Sequence, residues 1–323
     1  QRVDCVKGEL RVSVDNENKL SIIIPYYNSP HTLEKLLHSI PRKDDIEIIV
    51  VNDRSDKFTE EYEILKVSDD YSHVRFIENL TSKKGTGTCI NIGLSNATGK
   101  WILIAGADDY FLDDFYGKVG KYFETDYDVV FFSPTSVYLE TGKIATRHLY
   151  YKQLIENYLN GLPDSELMLR YDFHSPCSKM IRSEFIRQHT ITCDEVLVCN
   201  DDMFSTKVGY YMEKFTATRE EIYCITDHST SLSRKKGKEY FYSCFDVKLR
   251  IDDFLKEHLD KRDYKKLRLV GISVLYHAIN RYNLGLKDLA NIVAILSRKK
   301  IPFLSVSYIR RTLNRLFDKL FVI

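Results

Sequence analysis

Short apolar runs punctuate the chain from Leu20 onward, and the segments between them carry apolar residues at helical spacing. The runs at 20–24, 46–51 and 101–105 are rich in β-branched side chains and read as buried strands. Pro25 stops the first in this reading, and 26–30 follows as a loop. Leu33, Leu36, Leu37 and Ile40 share one helical face, which predicts a helix over 31–40. A charged helix over 60–66, a strand over 73–77 and a helix over 85–97 come next. Trp101 opens the fourth strand. Strand and helix alternating at this spacing predict right-handed crossovers and a mostly parallel sheet. Its carboxyl edge should gather the loops 25–29, 52–55, 82–87 and 106–110.

Beyond this region the pattern predicts a strand over 129–132 and a hairpin over 138–144 around a Thr-Gly turn. It also predicts a helix over 203–211 and a strand over 221–226. Helical spacing dominates afterwards, with helices expected over 240–259, 264–282, 286–296 and 306–321. At the amino end, 10–14 alternates like a strand and 15–18 reads as a turn. No internal repeat is visible.

Composition narrows the picture. A length of 323 residues suits one large domain, or one domain with an appendage. A formal net charge of +1 offers no general attraction to nucleic acid. No stretch reaches the ~20 apolar residues of a membrane span. The amino terminus is polar and charged, so it does not read as a signal peptide, and Gln1 in place of a start methionine suits a fragment of a longer chain. The seven cysteines (5, 89, 177, 193, 199, 224 and 244) contain no Cys-x-x-Cys pair. They read as reduced thiols of a cytosolic protein rather than a disulfide framework or zinc site.

The candidate chemistry sits where strands end. The run from Trp101 closes on Asp108 and Asp109, with Gly106 giving the backbone room to turn. Adjacent carboxylates repel unless a cation neutralises them, and Mg²⁺ or Mn²⁺ bridging to substrate phosphates does so. The alternative is a solvated turn before the next helix. Lys83 and Lys84 precede a Gly-Thr-Gly turn; they suit a diphosphate or a solvated basic loop. Tyr150, Tyr151, Tyr158 and Tyr171 suit sugar stacking or a core. His174 and Lys179 suit contact with an acceptor or phosphate, or else core or surface positions. The segment 298–323 is basic and apolar together, fitting an anionic membrane surface or a helix packed on the core or another subunit.

Several separated motifs now agree. Ser-Ile-Ile-Ile-Pro-Tyr-Tyr-Asn at 21–28, Ile-Val-Val-Asn-Asp-Arg-Ser at 49–55 and Ala-Asp-Asp at 107–109 resemble the nucleotide-sugar half of family 2 glycosyltransferases. The segment 175–185 resembles that family's acceptor side, and Asn-Asp-Asp-Met-Phe-Ser at 200–205 its catalytic-base motif. The resemblance covers 20–235. It implies an α/β GT-A fold: a Rossmann-like, mostly parallel sheet flanked by helices, here with a C-terminal helical appendage. The implied organisation is an N-terminal extension over 1–19, a GT-A domain over 20–235 and a helical region over 236–323. Within the GT-A domain, 20–112 forms the nucleotide-sugar half and 113–235 the acceptor half.

The resemblance also implies roles. Pro25 and Tyr27 would wall the nucleotide base. Asp53 would accept from it, against the alternative of a helix N-cap. Lys84 would face the diphosphate, Asp108 the ribose, and Asp109 the metal, Mn²⁺ or Mg²⁺. His228 would add a late metal ligand, or else be structural or simply exposed. Alignment on Phe204 makes Asp201 the general base; a shift of one residue would choose Asp202, and both suit a helix start. Asn91 and Gly93 match family positions. Ile90 stands where many relatives have arginine, and Gly106 where many have a further Asp, so the metal would rest on fewer carboxylates and on the diphosphate. The implied activity is an inverting, metal-dependent transfer from a nucleotide-sugar donor, a UDP-sugar foremost. The acceptor is a hydroxyl of a glycan or lipid-linked saccharide in surface polysaccharide synthesis. The implied location is cytoplasmic, with peripheral contact at the inner membrane face through 298–323 left open. The alternatives are a degenerate, membrane-associated scaffold and a nucleotidyltransferase. The latter needs a Gly-rich phosphate loop after the first strand, which Pro25-Tyr26-Tyr27-Asn28 is not.

Overall fold

A computed structural model describes residues 5–6, 9–10, 18–228 and 235–306. Two short strands, β1 (Cys5–Val6) and β2 (Glu9–Leu10), pair antiparallel. Apart from Leu10, the expected strand over 10–14 lies outside the described residues, as does most of the 15–18 turn.

The alternation read from the sequence is present. β3 (Leu20–Tyr26), α1 (Pro30–His38), β4 (Ile46–Asn52), α2 (Thr59–Val67), β5 (Val74–Glu78), α3 (Thr86–Asn96) and β6 (Trp101–Ile104) follow in order. These strands pair in parallel as β5-β4-β3-β6. Pro25 does not stop β3, which pairs through Pro25 with Val51 and through Tyr26 with Asn52. The Ile23 carbonyl accepts from Ala105 on the β6 side, so two residues on the amide that proline lacks would also face β6. β6 has already ended there, and no ladder bond is lost.

The second half turns the sheet antiparallel before it closes. It contains β7 (Tyr110–Phe111), α4 (Phe115–Gly120), β8 (Val129–Tyr138), α5 (Leu149–Leu159), α6 (Ser165–Asp172), β9 (Lys179–Arg182), α7 (Ser183–Gln188), α8 (Asp202–Tyr211) and β10 (Phe215–Asp227). β9 pairs antiparallel with β6 and β8, β10 runs parallel to β8, and β7 pairs antiparallel with β10. The full order is β5-β4-β3-β6-β9-β8-β10-β7. Bulges near Thr218–Tyr223 carry the end of β10 toward the turn after β6. The expected hairpin is present as a bridge from Val137 to Ile144.

The sheet separates two cores because side chains alternate across a strand. Leu20, Ile22, Ile24 and Tyr26 pack with Leu33 and Leu36 of α1 and Tyr62 of α2. Ile23 faces the other way, toward Ile90, Leu154 and Phe204. Each fully buried isoleucine of β3 contributes roughly 1.5–3 kcal/mol relative to exposure, so this strand is strongly anchored.

Among the described residues the helices α9 (Lys238–His258), α10 (Lys261–Leu267), α11 (Gly271–Asn280) and α12 (Leu286–Arg298) follow. α9, α11 and α12 share a core of Phe241, Phe245, Val274, Ala278, Ile292 and Leu296, among others, while α10 buries no residue. The expected continuous helix over 264–282 is broken at 268–270. Its backbone donors go elsewhere: Leu269 N to Asp252 Oδ1 at 2.7 Å, and Gly271 N to Pro302 O at 2.9 Å. The expected reduced thiols also need correction. Cys199, just before α8, is disulfide-bonded to Cys244 on α9. Their separation of 45 residues carried no local sequence signal. Among the described residues no helix is long and apolar enough to cross a membrane. The expected helix over 306–321 lies outside them beyond Val306, as does most of the 298–323 segment; Lys299 pairs with Asp253 at 2.5 Å.

Candidate active site

The carboxyl edge of the parallel strands gathers the first set of predicted residues. Asp53 is 9% exposed, and its oxygens accept from Asn79 Nδ2 and from Gly85 N, each at 2.8 Å. It does not cap α2, whose N-cap is Phe58. Instead it holds the entrance to α3, where Gly85 has φ +124°, a conformation L side chains rarely adopt. Asn28 ties the β3 loop to Ser55 and Asp56 through hydrogen bonds of 2.7–3.0 Å. Tyr27 stands 49% exposed beside Pro25, with the Lys84 ammonium 5.2 Å from its ring centroid. Lys83 is paired with Glu195 at 2.9 Å, so of the two lysines Lys84 borders the Tyr27 surface. Asn91 bonds both the N–H and the C=O of Cys193, and Gly93 leaves room only for Ile23. These two are packing positions. Ile90 is core.

The two adjacent carboxylates after β6 separate. Asp109 turns inward and is 7% exposed. Its Oδ1 accepts from Thr226 N and its Oδ2 from the Tyr223 hydroxyl, both at 2.7 Å. Burial, with the Asp108 charge adding to it, pushes the Asp109 carboxyl up to about 7. Asp108 turns outward, with a side chain 39% exposed, and meets His228 Nε2 at 2.8 Å. Gly106 packs against both carboxylates. A Cβ there would lie 2.8 Å from Asp108 Oδ1 and 3.1 Å from Asp109 Oδ2.

Asp201 occupies the N-cap position of α8, yet its side chain makes no capping bond. It is half-buried. Burial, reinforced by Asp202, pushes its carboxyl up to about 7 against the opposing pull of Lys179. Lys179 is fully buried; its ammonium donates to Phe173 O and, at 3.1 Å, to Ser205 Oγ. Desolvation brings that ammonium down to about 7. Cys177 links the two carboxylate regions. Its thiol, pushed up to about 12 by burial, feels the charges of both Asp109 and Asp201 and contacts Tyr223 and Gly106. Tyr151 senses Asp201, Asp202, Arg147 and Cys177. Arg147 bonds Thr226 O at 3.2 Å and lowers the Asp109 carboxyl's proton affinity. Asp202, by contrast, faces a cavity toward α9.

Thus Asp108, Asp109, His228 and Asp201 share one neighbourhood, while Pro25, Tyr27, Asp53 and Lys84 form a second group on the same sheet edge. Sequence reading missed Tyr223, Thr226, Arg147 and Cys177 as parts of the site. Tyr223 and Thr226 lie within the predicted strand but read as ordinary β residues.

Among the described residues no group of three or more His, Cys, Asp or Glu side chains is placed to hold a metal ion. Asp108 and His228 are the pair with oxygen and nitrogen donors within 2.8 Å. Two protein donors fit a divalent cation that completes its shell with substrate phosphate and water.

Comparison with known proteins follows the same lines. The chain is 25% identical over 243 residues to glycosyltransferase GlyA of Streptococcus pneumoniae, covering 72% of this chain and 34% of GlyA. It spans 57–65% of two further bacterial relatives. Among solved structures, Staphylococcus aureus TarS 1-349 in complex with UDP-GlcNAc superposes with a TM-score of 0.64 at 17% identity, over 87% of this chain and 80% of that one. A mannosyltransferase from Pyrobaculum calidifontis in complex with GDP-Man and Mn²⁺ gives 0.54 at 14% identity, over 94% and 81%. At these identities the likeness to the solved structures is one of fold, and the fold is GT-A. The family model described as Glycosyl transferase family 2 matches residues 21–190, more than half of the chain, and the chain belongs to that family.

Proposed function

We propose that the chain transfers a sugar from a nucleotide-sugar donor to a hydroxyl of a glycan or lipid-linked saccharide, with inversion at the anomeric carbon. The carrying observation is that Cys177 lies within electrostatic reach of both Asp109, beside the outward Asp108, and the half-buried Asp201. The carboxylate of the proposed cation site and the proposed proton acceptor thereby lie within reach of the same thiol. UDP-GlcNAc in the TarS complex and GDP-Man in the mannosyltransferase complex support a donor of that class.

In this reading Tyr27 and Pro25 wall the base, Asp53 sets the loop that receives it, and Lys84 faces the diphosphate. Asp108 and His228 would hold Mn²⁺ or Mg²⁺. Asp109 is the positioning residue behind them, because both of its oxygens already accept hydrogen bonds. When bound, the cation supplies positive charge to the departing diphosphate. Asp201 takes the proton from the acceptor hydroxyl. The acceptor oxygen bonds to the anomeric carbon from the face opposite the diphosphate, whose oxygen leaves with the bond's electron pair. A carboxyl held near 7 is matched to that role, since a base must be ionised yet still basic. Residues 20–235 form the catalytic unit in this proposal, and 236–323 support it. Membrane contact through 298–323 belongs to the same proposal. Liposome binding unchanged on deleting 298–323 removes the membrane part.

The test is donor hydrolysis across a panel of nucleotide sugars with Mn²⁺ or Mg²⁺, wild type beside Asp108→Ala and Asp201→Asn. Slow hydrolysis of one donor, lost in EDTA and in Asp108→Ala, is expected. Asp201→Asn should still bind that donor by calorimetry but not transfer to an acceptor. A folded protein that binds no donor would leave the scaffold reading standing instead.

A further inference from the structure

Lys179 opens β9, where the alternation of the strand directs its side chain inward. It pairs with Phe131 of β8 and shares its face with Ile181, a core residue. The residue is 1% exposed, its ammonium 5.1 Å from the Phe173 ring centroid and 5.7 Å from that of Phe131. The ammonium donates to Phe173 O and, at 3.1 Å, to Ser205 Oγ, which itself donates to His174 O. Ser205 N donates to Asp201 O at 2.9 Å, closing the first turn of α8. One buried cation thus ties β9, the 173–174 segment and the turn that carries Asp201.

A buried ammonium whose acceptors are a carbonyl and a hydroxyl is costly, and a methionine would fill the same volume without desolvating a charge. The charge has a use at Asp201. Burial and Asp202 hold the Asp201 carboxyl up, and Lys179 is the side chain that opposes them. The relation is mutual: burial brings the Lys179 ammonium down to about 7, and the Asp201 charge acts against that fall. The other groups that sense Asp201 are Tyr151, Cys177 and Cys193. Burial raises the proton affinity of each, so they stay uncharged at neutral pH and leave Lys179 as the cation.

We infer that Lys179 is the positioning residue of the proposed base: it fixes the first turn of α8 through Ser205 and brings a positive charge to Asp201. Asp201 receives the acceptor's proton. Lys179 acts through it, since its ammonium is buried and donates to protein atoms. The inference rests on the reading of Asp201 as that base. A lysine that only filled the core would add stability and leave the titration of Asp201 unmoved.

The test titrates Asp201 by carbon NMR in the full chain carrying ¹³C-carboxyl aspartate, its signal being the one missing from Asp201→Asn. The midpoint should rise by about one pH unit or more in Lys179→Met. Hydrolysis of the nucleotide sugar that wild type turns over should show the same displacement in its pH profile. Ser205→Ala removes the tie and keeps the charge. Its turnover should fall about tenfold, with KM within roughly twofold of wild type and the pH midpoint unchanged. An Asp201 midpoint equal in Lys179→Met and wild type, or undiminished turnover in Ser205→Ala, overturns the inference and leaves Asp201 as the base. Should Lys179→Met not fold, Ser205→Ala decides alone. A wild type that hydrolyses no nucleotide sugar would instead remove the base reading, and the inference with it, even where the midpoint is displaced.

Discussion

The Tyr223 hydroxyl donates to Asp109 Oδ2 at 2.7 Å and accepts from the Gly106 amide at the same distance. One oxygen thereby ties β10 to the turn after β6. It holds Asp109 inward, while the neighbouring Asp108 faces out and meets His228 Nε2 at 2.8 Å.

Tyr223→Phe keeps the ring packed on Phe111 but strands a buried carboxylate oxygen and a backbone N–H. Each unsatisfied group costs about 1–3 kcal/mol, so stability should fall by at least that amount. Urea denaturation measures it. A midpoint equal to wild type would mean that the hydroxyl is not part of the support.

Asp108 and His228 act as a pair in the proposed cation site. His228→Gln should raise the Mn²⁺ concentration needed for half-maximal donor binding by about ten- to a hundredfold, the usual scale for weakening a metal's protein environment. Titration of Mn²⁺ at fixed donor, followed by calorimetry, reads this directly. Equal Mn²⁺ demand in the variant and wild type would place the cation elsewhere.

Asp201 sets the expected pH dependence. A base works only when ionised, and its carboxyl is held up at about 7 by burial and by Asp202. Transfer rate should therefore rise as pH increases through about 7 and level off above it. The stability sign is opposite. The unfolded chain releases this proton near 3.8 while the fold keeps it to about 7, so the native state holds more protons across that window. Asp201's contribution to stability should fall as pH rises from about 4 to 7. In Asp201→Asn that part of the decline should vanish from a pH series of urea midpoints.

The Cys199–Cys244 bridge closes a loop of 45 residues next to Asp201. On chain-entropy grounds its loss should cost about 2–4 kcal/mol. Cys244→Ser compared with wild type in urea, each with and without dithiothreitol, checks the value. Wild-type stability indifferent to reductant would mean that the bridge does not form in solution.

Much of the parallel half was legible because its signals are local. The β-branched runs at 20–24 and 46–51, and the spacing of Leu33, Leu36 and Leu37, report burial on a strand or helix face without reference to distant residues. The motif-bearing loops inherit their places from those strands. The long helix expected over 264–282 failed for the opposite reason. Nothing within it announces that Asp252 and Pro302 will take the backbone donors at 269 and 271. The cysteines failed similarly, since a bridge depends on where α9 packs and not on spacing.

The sequence by itself determined that two carboxylates would stand at the end of a strand, and that Asp201 and Asp202 would begin a helix. Only the tertiary structure decided which of each pair faces which partner. Adjacent residues leaving a strand or entering a helix point in different directions, and periodicity does not say which direction is inward. Tyr223, Thr226 and His228 lie more than a hundred residues from the aspartates they engage. They bind Asp109 on the inside and meet Asp108 on the outside. Lys179 and Lys248 likewise give Asp201 and Asp202 different surroundings. These choices come from long-range packing and desolvation, which no local pattern in the chain encodes.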